Sequence, residues 1–143
     1  VMAGPRLDEV EDNCFRLPSR INSTWGGNFT DIVRSTHFLQ IIEVENLVEN
    51  ARVVGEHFLN RLLELEKENP IIAAVRGRGL FLAFDLPDAA TRDEFWKGLF
   101  ERGLLALKSG EKAIRFRPAL DITREVVDEA IELLRQQCQR TQK

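Results

Sequence analysis

The sequence predicts an α+β domain, a small and mainly antiparallel sheet with helices packed on it. Two observations carry that expectation. Residues 30–68 hold apolar side chains at helical spacing in two successive runs, and residues 80–134 alternate short apolar runs with glycine or proline turns and helix patterns. A chain of 143 residues is the size of one ordinary domain, and 43% hydrophobic with 30% charged residues suits a globular chain.

Residues 1–28 read as an irregular segment punctuated by Pro5, Pro18 and the pair Gly26-Gly27. So long a stretch without periodicity is unusual in a compact domain; such loops are functional or belong to something larger. The remainder, 29–143, reads as one domain. Thr30 and Asp31 suit the start of a helix over 30–45, with Ile32, Thr36, Leu39 and Ile42 as its inward stripe. A second helix, 46–68, carries Leu47, Ala51, Val54, Phe58, Leu62 and Leu65 on one face and ends at Asn69-Pro70.

The rest reads as β-α-β-β-α. Val75-Arg76-Gly77-Arg78-Gly79 is expected to be a turn that leads into a buried strand, 80–86. Thr91-Arg92-Asp93-Glu94 has the form of a capping box opening a short helix through Phe95, Trp96, Leu99 and Phe100, which stops near Gly103. Leu104 to Leu107 and Ala113 to Arg117 are strands around a turn at 108–112. Thr123 caps a last helix with Val126, Val127, Ala130, Ile131 and Leu134 facing inward.

Composition removes several classes of function. The net charge is −3 with no long run of one sign, which argues against a nucleic-acid footprint. No run of about 18 apolar residues is present, so no membrane span is expected. The start has neither a basic region nor an apolar stretch, unlike a signal peptide. Cys14 and Cys138 lie far apart, so no metal site or disulfide framework is expected; two unpaired thiols fit a reducing cytoplasm, and a single long-range disulfide is the alternative. His37 and His57 sit in helix patterns too far apart to share a ligand.

Two places hold chemistry. Asn22-Ser23-Thr24-Trp25-Gly26-Gly27-Asn28 combines hydroxyls, amides and glycines just before a helix. Backbone N–H groups there could cradle an anion beside a helix N-terminus, or the polar side chains could simply cap that helix. Arg115 and Arg117, two apart on a strand, share a face away from Ile114 and Phe116. They could hold a carboxylate through a planar fork, or form a solvated surface with ion pairs.

These segments together resemble the class III aminotransferases, which use pyridoxal 5′-phosphate (PLP). The order is Asn22-Ser23-Thr24-Trp25-Gly26-Gly27-Asn28, then Val75-Arg76-Gly77-Arg78-Gly79-Leu80, then Ile114-Arg115-Phe116-Arg117-Pro118-Ala119-Leu120. The stretch Leu17 to Asn28 resembles the L-lysine 6-aminotransferases within that family, and the likeness spans essentially the whole chain. It implies the C-terminal small domain of the fold type I PLP enzymes, in a homodimer. Thr24 would bind the cofactor phosphate of the neighbouring subunit, with Ser23 beside it. Arg115 would bind the α-carboxylate of L-lysine or 2-oxoglutarate, and Asn22, which lines the Thr24 region with Ser23, would also face the substrate.

The resemblance further implies that the Schiff-base lysine lies upstream of Val1. Lys67, Lys97, Lys108, Lys112 and Lys143 match nothing catalytic, and the chain by itself is expected to be inactive. Ala119 departs from the family pattern, where relatives often carry a second proline. An ornithine or 4-aminobutyrate type of aminotransferase, and a free-standing β-α-β-β-α ligand-binding module, are the alternative readings.

Overall fold

The computed structural model describes residues 4–17, 20 and 24–141. By its internal contacts the chain divides into two units, 1–40 and 41–143.

The first unit contains a short 3-10 turn, Pro5–Glu9, and most of helix α1, Phe29–Val44. Pro5 opens the 3-10 turn, where its fixed φ suits a first helical position. Asn13 organises the loop that follows. Its amide donates to the carbonyls of Leu7 and Val10, and its carbonyl oxygen accepts from the N–H groups of Phe15 and Arg16. Helix α1 begins at Phe29, one residue before the expected start at Thr30, with Asn28 as its cap. The Asn28 side chain accepts from Thr30 N–H at 3.0 Å. None of the inward stripe expected on α1 is buried.

The second unit is a two-layer α/β sandwich. Asn46 adopts a left-handed backbone, φ 52°, and separates α1 from α2, Leu47–Glu68. Asparagine tolerates that conformation better than most residues. Four strands follow in the spatial order β1-β2-β4-β3, all antiparallel: β1 Ala73–Arg78, β2 Phe81–Asp85, β3 Leu107–Ser109 and β4 Ala113–Phe116. Helices α3, Ala89–Glu101, and α4, Arg124–Thr141, pack with α2 on one side of the sheet.

Strand β1 occupies the segment expected as a turn. Two glycines within five residues look like turn chemistry, yet Gly77 lies in the ladder opposite Leu82. A Cβ there would press on the backbone of Phe81 and Leu82, so the glycine serves a close approach. The turn itself is Gly79-Leu80. Gly79 at φ 55° is the first central residue of a two-residue hairpin, a conformation only glycine adopts freely. Helix α3 also starts before its expected capping box: Asp88 accepts from Thr91 N–H at 2.8 Å.

The core lies between sheet and helices. Leu82, Phe84, Ile114 and Phe116 point inward and meet Phe58, Leu62 and Leu65 of α2, Phe95 and Leu99 of α3, and Val127, Ile131 and Leu134 of α4. Phe84 packs edge-on against Phe95 at 6.0 Å, and Phe58 lies 5.3 Å from Phe116. Val126, expected inward, is exposed, one step round α4 from the buried Val127. At the rim, Asp128 of α4 accepts from Arg61 at 3.1 Å and pairs with His57 at 2.9 Å, both on α2. Those contacts, His57 first, hold the Asp128 carboxyl below its ordinary range.

Candidate functional site

The site is built on the outer face of the sheet and the end of β4. Antiparallel register aligns outward residues in rows. Arg115 of β4 stands between Ala83 of β2 and Leu107 of β3, and Arg76 stands across from Ala83. Ala83 is small, so the long arginine side chain can lie across the sheet rather than stand up from it. It does so: the Arg115 guanidinium sits 5.4 Å from the centre of the Phe81 ring.

Arg115 is half-buried, and its Nε–H is shut off from water without an acceptor. A buried donor left unmade is costly, so such an atom calls for a partner. The arginines nearby differ. Arg76 is committed to Asp85 at 2.8 Å, and Arg78 and Arg117 are exposed. Among the described residues no ion pair involves Arg115, which removes the surface ion-pair reading for that residue. Of the two arginines singled out in the sequence, Arg115 is the one held in place.

Beside it opens a cleft of about 470 Å³, walled by Trp96, Phe100, Leu104, Leu105 and Leu107 among others. Among the described residues Arg115 and Arg117 are the only charged ones in its wall. An apolar cleft with a few convergent polar groups is the ordinary form of a small-molecule site. Trp96 is fixed by donating its indole N–H to the Ala106 carbonyl at 2.8 Å. Sequence reasoning had no means of finding this cleft, because its wall is drawn from α2, α3, α4, β3, β4 and the loops between them.

Asn50 also went unnoticed. From α2 its amide donates to the carbonyls of Leu120 at 2.7 Å and Ile122 at 3.0 Å. The loop that leaves β4 past Pro118 and Ala119 is thus pinned by a side chain on a helix. The one signal was a polar residue three after Leu47 and four before Val54, on the inward face of α2.

Of the residues expected at the anion loop, Asn22 and Ser23 lie outside the described residues. Thr24 is exposed, in a turn over 24–27 that closes with Gly27 at φ 76°. Thr24 belongs to the first unit and Arg115 to the second. The capping reading applies to Asn28, whose side chain is used on Thr30. Lys67, Lys97, Lys108 and Lys112 are all exposed, so none has the desolvated surroundings that make a nucleophilic lysine. Among the described residues no group of histidine, cysteine and carboxylate side chains is arranged to hold a metal ion. No described helix is long and apolar enough to cross a membrane.

Comparison with known proteins fixes the family. Residues 9–138 match the sequence model of the class-III aminotransferases. The chain belongs to that family. It is 47% identical over 136 residues to an L-lysine-epsilon aminotransferase of Mycobacterium tuberculosis, covering 94% of this chain and 30% of that protein. An ornithine aminotransferase of Exiguobacterium is more distant, 39% identical over 117 residues, covering 82% of this chain and 28% of that protein. Among solved structures, a lysine aminotransferase from M. tuberculosis superposes with a TM-score of 0.89 at 45% identity, covering 98% of this chain and 32% of that one. The chain therefore spans about a third of the length of these aminotransferases, and its α+β architecture is a part of their fold.

Proposed function

We propose that this chain is the C-terminal part of an L-lysine 6-aminotransferase, which moves the ε-amino group of L-lysine to 2-oxoglutarate with PLP as cofactor. The observation that carries the reading is Arg115, a half-buried guanidinium with an unpartnered N–H at the wall of an apolar cleft. Both substrates bring a carboxylate, and a guanidinium binds carboxylates through paired, charge-assisted hydrogen bonds.

The role follows from length and charge. Lysine must present its distal amine to the chemistry, so its α-carboxylate has to be held at the far end. Arg115 is that anchor. Fixing one end of a flexible substrate turns a loose encounter into an oriented one. Trp96, Phe100 and Leu105 line the apolar cleft that has Arg115 in its wall, and an ion pair formed in such surroundings is less screened than one in water.

Thr24 is assigned to the cofactor phosphate of the neighbouring subunit in a homodimer, with Ser23 beside it and Asn22 lining the same region. The residues suit an anion: Thr24 carries an exposed hydroxyl, open space surrounds Gly27, and the amino end of α1 follows at Phe29. When bound there, PLP supplies an electron sink for amino-group transfer, while the protein supplies orientation and charge. Free Cys14 and Cys138 support a cytoplasmic setting.

The test is Arg115→Ala in the intact enzyme. Catalytic efficiency with lysine and with 2-oxoglutarate is expected to fall about a hundredfold or more, the scale of a lost charge-assisted positioning contact. Undiminished turnover of both substrates would remove Arg115 from the site. Profiling lysine against ornithine and 4-aminobutyrate separates the lysine enzyme from its relatives.

A further inference from the structure

Phe81 lies outside everything assigned so far. It is the first residue of β2, on the outer face of the sheet, and it is 52% exposed, an unusual place for a large aromatic ring. Its ring lies beneath the Arg115 guanidinium at 5.4 Å. The register explains the meeting: Arg115 pairs with Ala83, two residues along β2 from Phe81, so Phe81 is the diagonal neighbour on the same face.

We infer that Phe81 is a positioning residue for the carboxylate anchor, holding the Arg115 guanidinium flat and ready before substrate arrives. The inference rests on the assignment of Arg115 above. Three observations favour it. Among the described residues Arg115 has no carboxylate partner, and the group its guanidinium lies against is the uncharged Phe81 ring. An aromatic face attracts a guanidinium without competing for the N–H groups that a carboxylate would use. Ala83, opposite Arg115 on the β2 side where Phe81 also lies, is too small to obstruct the guanidinium.

A rigid, preformed fork loses less freedom on binding than a mobile one, so the ring contributes through affinity for both carboxylate substrates.

The experiment uses the intact, cofactor-loaded enzyme and glutarate, a dicarboxylate that binds like 2-oxoglutarate but cannot react. Binding is followed by calorimetry in wild type, Phe81→Leu, Phe81→Trp and Arg115→Ala. Phe81→Leu is expected to weaken glutarate roughly three- to thirtyfold, the range of a cation–π contact, with Phe81→Trp restoring it. KM for both substrates should rise in Phe81→Leu while kcat at saturation stays near wild type. Ring-fluorinated phenylalanines at position 81, which keep the shape but drain the aromatic face, should weaken binding stepwise with fluorine number.

Wild-type glutarate affinity in Phe81→Leu, with affinity lost in Arg115→Ala, would overturn the role of Phe81 and leave Arg115 as the anchor. No stepwise response to fluorination would also overturn it, by reducing the ring to mere packing. Wild-type affinity in Arg115→Ala would sink the anchor assignment and this inference with it.

Discussion

Along α1 the apolar residues Phe29, Ile32, Val33, Phe38, Leu39, Ile41 and Val44 are all exposed, Phe29 at 83% and Leu39 at 65%. Along α2, Val54, Phe58, Leu62 and Leu65 are buried, Leu62 completely. Both segments show helical apolar spacing in the sequence. The difference is what lies opposite: α2 meets β1 and α4, whereas no described element buries the side chains of α1. Periodicity therefore declares a face that can be covered, and a partner decides whether it is. An exposed patch of this kind marks an interaction surface, or a liability where nothing covers it.

Truncation measures that contrast most directly. Leu62→Ala should destabilise the chain by about 2–5 kcal/mol, the range for deleting a fully buried leucine. Leu39→Ala should stay within about 0.5 kcal/mol, as for a surface position. Urea unfolding of the two variants reads both. Equal costs would break the comparison, because they would place Leu39 in contact with something in solution.

How far the sequence led follows the same line. Residues whose role is set by near neighbours were legible: the α2 stripe, the inward Ile114 and Phe116 with the outward Arg115, and the end of α2 before Pro70. Roles set by distant residues were not. Gly77 reads as turn chemistry because nothing local reveals that Leu82 closes over it. Asp88 and Thr91 are both good caps by local chemistry, and nothing near them in the sequence says that α3 uses Asp88. At the site, Arg115 was legible from its strand position and its motif. Phe81 and Asn50 were not, because their partners lie 34 and at least 70 residues away along the chain.

A smaller effect sharpens the contrast between the helices through glycine. In an exposed helix interior, Gly→Ala gains up to about 1 kcal/mol. At Gly55 of α2 the sign should reverse, with a loss of about 1–3 kcal/mol, because a Cβ there would run into the backbone of Gly79 at the β1–β2 turn. Ser35→Ala at an exposed position of α1 should change stability by only a few tenths of a kcal/mol by helix propensity alone. Thermal or urea unfolding of the two variants suffices. A neutral Gly55→Ala would mean that α2 and the hairpin turn are not packed as closely as described.

The finest probe sets one thiol from each unit against the other. Cys14 is half-buried in the first unit, and Cys138 is fully buried on the inner side of α4 in the second. Burial in apolar surroundings disfavours the thiolate and pushes the Cys138 thiol from about 9 up to about 12. Iodoacetamide near pH 8 should therefore label Cys14 quickly and Cys138 only at the rate at which the core opens, as read by mass spectrometry. The sign of the pH effect follows from linkage. Cys138 stays protonated in the folded chain while the unfolded chain loses that proton from about pH 9, so its contribution is full below that pH and is lost as pH rises toward about 12. The chain contains no tyrosine, and its described lysines are exposed, which leaves few other groups to mask the slope. Cys138→Ala leaves a small cavity at every pH, so the slopes of stability against pH are compared rather than the absolute values. The variant should show the shallower fall between pH 9 and 11; parallel curves would place Cys138 in contact with water.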